Sequence, residues 1–218
     1  MSVVSLRRRR LVAAGLTTLA VVTAGATALA APASAATCTD IHVVFARGTA
    51  DLQPLGIVGG PFVDAVRANS LGRSVSAYGV NYAAAIDQSS AGAGATDMTN
   101  HVVQYAGQCP NSRIVLGGYS QGASVTDIAI GIPTLLGSGR TIPIELAPRI
   151  SAVVVFGNPA RLFGQTVNSS LLLSGRALDV CNAGDPVCAS GINVLAHLTY
   201  GLDGATNRGG QFAAQHSR

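Results

Sequence analysis

The chain has 218 residues, with 14 basic side chains against 10 carboxylates and a formal charge of +4. Every basic residue is arginine, and four of them stand at positions 7–10, so beyond that cluster ten cations face ten anions. That balance excludes a basic nucleic-acid surface, and the residues after position 35 suffice for one domain with a substantial core.

The arginines at 7–10 precede an apolar, small-residue run over residues 11–31 and the sequence Ala33-Ser34-Ala35. A charged n-region, an apolar h-region and a small-residue cleavage site predict a secretory signal peptide over residues 1–35. The consecutive arginines also permit twin-arginine export. A retained membrane anchor is the competing reading; the run's alanines, threonines and glycines speak against it.

In the remaining residues, 36–218, a first apolar strand is expected over 41–46, followed by the turn "ARGTAD" and a helix over 61–69. A strand over 75–80 and a helix over 95–107 come next, then a strand over 114–118 and a helix over 123–130. Strands over 150–156 and 177–180 and a terminal helix near 211–215 complete the series. Several strands are continuous apolar runs, as suits burial on both faces of a parallel sheet. Their alternation with helices predicts βαβ units in a three-layer α/β/α sandwich.

The four cysteines, Cys38, Cys109, Cys181 and Cys188, all follow the leader. An even count in an exported chain predicts two disulfides. Cys181 and Cys188 bracket six residues and pair locally, which leaves Cys38 with Cys109. Zinc is the weaker alternative, because no pair has Cys-x-x-Cys spacing.

Gly118-Tyr119-Ser120-Gln121-Gly122 fits Gly-x-Ser-x-Gly, weak evidence alone in a chain with 26 glycines. Its context adds the weight: it stands between a predicted strand and a predicted helix, where a nucleophile occupies a sharp turn whose neighbours must lack Cβ atoms. Ser120 is therefore the candidate nucleophile. The order serine, acid, histidine removes His42 and His101, and His216 lies too near the C-terminus to be a precise base. His197 is the candidate base. Glu145, Asp179, Asp185 and Asp203 are the available acids. Asp185 is preferred over Asp179 because its loop, "CNAGDPVC", is clamped by the expected short disulfide and stiffened by Pro186. The amides of Gln121 and Thr49 are candidate oxyanion donors. Arg47, in the same turn as Thr49, is read as a structural donor to backbone carbonyls.

The stretches "VFARGT" (44–49), "GGYSQGAS" (117–124), "CNAGDPVC" (181–188) and "HLTYG" (197–201), in this order, resemble the cutinase family of secreted serine esterases. The resemblance implies a small α/β-hydrolase with a five-stranded, mainly parallel sheet, no large lid and no metal. It assigns Ser120, Asp185 and His197 as triad, Thr49 and Gln121 as oxyanion hole, and the disulfides Cys38–Cys109 and Cys181–Cys188. Residues 81–96 depart from the fungal members, whose oxyanion-supporting asparagine has no aligned counterpart here.

The expected function is hydrolysis of short-to-medium acyl esters, with Val187, Ile192, Val194 and Leu195 as acyl contacts or flap packing. The substrate is a small-molecule, lipid or polymer ester; no cofactor and no nucleic acid are implied. The protein is expected outside the cell as a monomer, with peripheral lipid contact or envelope association. Rival readings are an acetylxylan esterase, a phospholipase or acyltransferase on envelope lipids, and a binding protein on an inactive hydrolase fold.

Overall fold

The computed structural model describes Met1, residues 38–173 and residues 175–218. The chain divides into two units, Met1–Ala35 and Ala36–Arg218. The signal peptide expected over residues 1–35 lies, apart from Met1, outside the described residues. The sheet and its helices all belong to the second unit.

Five strands form one sheet: β1 (Ile41–Ala46), β2 (Val75–Gly79), β3 (Arg113–Tyr119), β4 (Ile150–Phe156) and β5 (Ala177–Val180). Their order is β2-β1-β3-β4-β5, and every pairing is parallel. The three inner strands are the most hydrophobic and are almost wholly buried, whereas β2 and β5 at the edges are half-buried. Helices therefore have to cover both faces.

Side chains alternate between the faces with the period of two that a strand imposes. Val44, Leu116, Val153 and Val155 join Met98 and Val102 of α2 (Ala91–Gln108) and Val125 of α3 (Gln121–Ala129) in one core. Val43, Phe45, Val115, Val154 and Phe156 meet Phe62 and Val66 of α1 (Gly56–Asn69) and Ala213 of α5 (Ala205–His216) in the other. Among the described residues no helix is long and apolar enough to cross a membrane.

Three helices begin a turn or more earlier than the sequence predicts, α1 at 56 rather than 61, α2 at 91 rather than 95, and α5 at 205 rather than 211, and α3 begins two residues earlier, at 121. The added turns contain glycines that propensity reads as breakers. All but Gly60 serve instead as points of close approach: a Cβ on Gly210 would lie 2.5 Å from Ala65 Cβ in α1, and one on Gly92 would lie 2.2 Å from the Ser138 carbonyl. A five-residue helix, α4 (Val194–Leu198), has no counterpart among the predicted elements.

Both disulfides pair as expected. Cys38–Cys109 ties the entry to β1 to the end of α2, and Cys181–Cys188 closes the loop after β5. The carboxyl ends of β1, β3, β4 and β5 all open on one edge, the edge where a parallel α/β sheet places its site.

Candidate active site

Ser120 occupies the turn between β3 and α3 with φ 55° and ψ −119°, a strained conformation for a residue with a Cβ. Main-chain packing on both sides holds it there. A Cβ on Gly118 would stand 2.0 Å from the Gly122 carbonyl oxygen, and one on Gly122 would stand 2.0 Å from that of Ala46. Only glycine fits either position. Ser120 N–H donates to Phe156 O at 2.9 Å, which fixes the turn to β4.

His197, on α4, places Nε2 2.9 Å from Ser120 Oγ and Nδ1 2.9 Å from Asp185 Oδ2. Asp185 is fully buried in the loop closed by Cys181–Cys188. Its Oδ1 accepts from Val187 N–H at 2.8 Å, and its Oδ2 also accepts from Tyr200 Oη at 2.6 Å. Burial and the hydrogen bond to Asp185 push the Tyr200 phenol up from its ordinary value, so it stays a donor. Tyr119 donates to the His197 carbonyl at 2.7 Å, and burial raises its phenol as well. Three residues far apart in sequence thus form one hydrogen-bonded relay, an arrangement able to activate a hydroxyl for attack on an acyl carbon.

Thr49 lies in the loop after β1, and Gln121 is the first residue of α3. Among the described residues neither backbone N–H has a hydrogen-bond partner, as expected of a helix's first donor. Thr49 Oγ1 accepts from Gln88 Nε2 at 2.8 Å, and Gln121 Nε2 donates to Ala85 O at 3.1 Å. Gln88 is thus the side chain that supports Thr49, the role that could not be placed from the sequence; its backbone is at φ 64°. Arg47 is buried and donates to the carbonyls of Asp51, Val80 and Tyr82, the structural role expected of it.

The other candidates sit elsewhere. Asp179, on β5, accepts from Asn158 Nδ2 at 3.1 Å and pairs with Arg161 at 3.6 Å. Asp203 caps α5 through Ala205 N–H, and Glu145 is in the 3-10 turn leading into β4, at the far end of the sheet. Ile192, Val194 and Leu195 are exposed on the segment that carries His197, and Val187 is half-buried beside Asp185. Cys181, Asp185 and Cys188 cluster closely enough for a metal, but both sulfurs are committed to the disulfide. Tyr200, Tyr119 and Gln88 are neighbours of the candidate residues that the sequence did not reveal; "HLTYG" contained Tyr200 without showing what it touches.

A family model described as Cutinase matches residues 37–217. A cutinase of Kineococcus radiotolerans is 50% identical over 183 residues, covering 83% of this chain and 62% of that protein, so the chain spans less than two thirds of that relative. Carboxylesterase Culp1 of Mycobacterium tuberculosis is 40% identical over 206 residues, with 91% and 90% of the two chains covered. Among solved structures, a Trichoderma reesei cutinase in complex with a phosphonate inhibitor is similar with a TM-score of 0.68 at 32% identity, covering 83% of this chain and 78% of that one. On these grounds the chain belongs to the cutinase family and is a carboxylic-ester hydrolase of the serine type.

Proposed function

We propose that Ser120, His197 and Asp185 are the nucleophile, general base and orienting acid of an exported esterase acting on short-to-medium acyl esters. Ser120 Oγ attacks the ester carbonyl while His197 Nε2 takes its proton. Asp185 holds the imidazole in the Nδ1–H tautomer and balances its positive form. The oxyanion is held by the amides of Thr49 and Gln121. Collapse breaks the ester C–O bond, and His197 returns its proton to the departing alkoxide. Water then attacks the acyl-enzyme by the same route, releasing the acid and restoring Ser120.

The relay of two 2.9 Å contacts ending on a strained serine is the observation that carries this reading. Two disulfides suit an oxidising compartment, in keeping with export through residues 1–35. The exposed Ile192, Val194 and Leu195 beside His197, with Val187 behind them, are read as substrate contacts at the mouth of the site, where a monomer meets lipid or polymer esters. Wild-type protein is expected to turn over 4-nitrophenyl butyrate and to be labelled by a fluorophosphonate at Ser120. Ser120→Ala is expected to lose both with its fold intact; activity persisting in that variant overturns the reading. Rates on acetylated xylan beside an acyl-length series separate this substrate class from a polysaccharide deacetylase.

A further inference from the structure

An apolar cavity of ≈ 370 Å³ adjoins the relay without belonging to it. Ser124 and Ala160, 1% and 5% exposed, are its most buried lining residues, Pro159 and Leu136 are half-buried, and Leu135 and Phe163, 78% and 63% exposed, stand toward solvent. Its size lies within the range of small-molecule sites.

Three observations place the cavity at Ser120. Ser124 N–H donates to Ser120 O, so Ser124 stands one helical turn beyond the turn that holds Ser120. Pro159 follows Gly157 by two residues, and a Cβ on Gly157 would lie 2.8 Å from His197 Cε1. The segment after α3 returns to the sheet's active edge, where Ser138 abuts Gly92 in the first turn of α2.

Direction follows from the sheet. Thr49 follows β1 and Pro159 follows β4, and β3, which ends at Ser120, lies between those two strands. His197 packs over Tyr119 and Tyr200, on the face covered by α1 and α5, whereas Leu136 packs into the core under α2 and α3. A tetrahedral carbon bonded to Ser120 Oγ has three other substituents. The oxyanion points to Thr49 and Gln121 and the leaving oxygen to His197 Nε2. The third substituent is left with the direction of the cavity.

We propose that this cavity receives the acyl chain of the substrate and sets the chain-length preference; this rests on the triad reading above. The lining is hydrocarbon apart from the Thr134 and Gln165 side chains and the Ser124 hydroxyl, which has no hydrogen-bond partner among the described residues. Such a space favours an alkyl chain over water. The alcohol part lies on the opposite side, along Ile192, Val194 and Leu195.

Ser124→Leu and Ala160→Leu each fill part of the cavity. Both are expected to leave kcat/KM for 4-nitrophenyl acetate near the wild-type value and to lower it about tenfold for the dodecanoate, the effect of displacing one or two buried methylenes. Equal losses on both esters, or no loss on either, overturn the proposal. A fluorescent dodecanoic acid analogue tests the cavity without turnover: it should bind the Ser120→Ala protein saturably, and the Ser120→Ala, Ser124→Leu double variant weakly. Equal binding to the two proteins overturns the cavity assignment alone. Saturable, Ser124-dependent binding by a protein that hydrolyses no ester of any length overturns the esterase reading and leaves the cavity assignment standing.

Discussion

Tyr200 donates to Asp185 on the same carboxylate oxygen, Oδ2, that faces His197 Nδ1. The buried acid is therefore held by three donors, with Val187 N–H on its other oxygen. Tyr200→Phe removes the charge-assisted bond to Asp185 and the one accepted from Asn182 N–H while keeping the ring against Phe156 and Tyr119. We expect a loss of about 1.5–3 kcal/mol in unfolding free energy, the range for hydrogen bonds to charged groups. Slower fluorophosphonate labelling should accompany it. Denaturant unfolding and labelling kinetics check both; unchanged labelling would show that Tyr200 serves the fold and not the relay.

Gln88 reaches Thr49 Oγ1 from a loop that contains two non-glycine residues with positive φ, Ala84 and Gln88 itself. Strain retained at such a place is commonly tied to positioning. Gln88→Ala should release Thr49 and lower kcat between about 10- and 100-fold, as small misplacements of catalytic groups do, with KM little changed. Gln88→Glu cannot donate to Thr49 Oγ1 but can accept from its hydroxyl instead, and is expected to recover part of that loss. Steady-state kinetics on the butyrate ester decide.

The glycines separate into two kinds. Gly122→Ala drives a methyl into the Ala46 carbonyl, and we expect insoluble protein or a loss of ~3 kcal/mol or more. Gly107, inside α2 and exposed, has nothing within 4 Å of its would-be Cβ. Gly107→Ala should stabilise by about 0.5–1 kcal/mol through helix propensity and a restricted unfolded chain. Thermal unfolding of the two variants provides the comparison.

His42 sets an acid limit on stability. Its Nε2 meets His101 Nε2 at 2.8 Å, its Nδ1 meets Ser76 Oγ at 2.7 Å, and its ring stacks on Tyr105. His101 in turn stacks on Tyr78, whose hydroxyl donates to Asp97. Burial, with some repulsion from His101, lowers His42 from the usual 6.5 to about 4. The unfolded chain then takes the proton first as pH falls. The contribution of His42 to stability is complete above about pH 6.5 and is lost toward pH 4, by up to ~3 kcal/mol. Urea unfolding at about pH 7 and pH 4.5 should show wild type losing stability on acidification relative to His42→Gln, in which this contribution is absent. Identical slopes would exonerate His42.

Asp127 sets a limit on the alkaline side. It is fully buried on α3, accepts from Asn158 Nδ2 at 3.3 Å, and shares that amide with Asp179. Burial, followed by the nearby Asp179 charge, raises it from 3.8 to about 8. The folded protein thus favours the protonated acid, and the contribution of Asp127 to stability falls as pH rises from about 4 to about 8. Asp127→Asn keeps the shape without the ionisation. It should be more stable than wild type at about pH 9 by a few kcal/mol, with little difference near pH 4. Parallel curves in urea would refute this.

The bounds of β1, β4 and β5 were legible because buried parallel strands are unbroken apolar, β-branched runs. The three candidates that the structure brings together were legible because their spacing restricts the choice: a glycine-flanked serine, a clamped acid, and a histidine beyond the last strand. The helix starts were not, since Gly92 and Gly210 are small for the sake of partners far away in sequence, which no local propensity records. Gln88 and Tyr200 escaped for a related reason. Each acts through one contact, 39 and 15 residues away, and neither spacing recurs as a pattern. The Asp127–Asn158–Asp179 cluster joins three elements and was equally hidden.

The contact of Gly122 with the Ala46 carbonyl joins the serine turn to the loop that carries Thr49, main chain against main chain. No side chain intervenes, so the separation of the two is a van der Waals distance that substitutions around the rim cannot alter. The site behaves as a fixed jig: side chains along its mouth and cavity can be exchanged to suit a different ester while Ser120 Oγ and the proposed oxyanion donors stay in register.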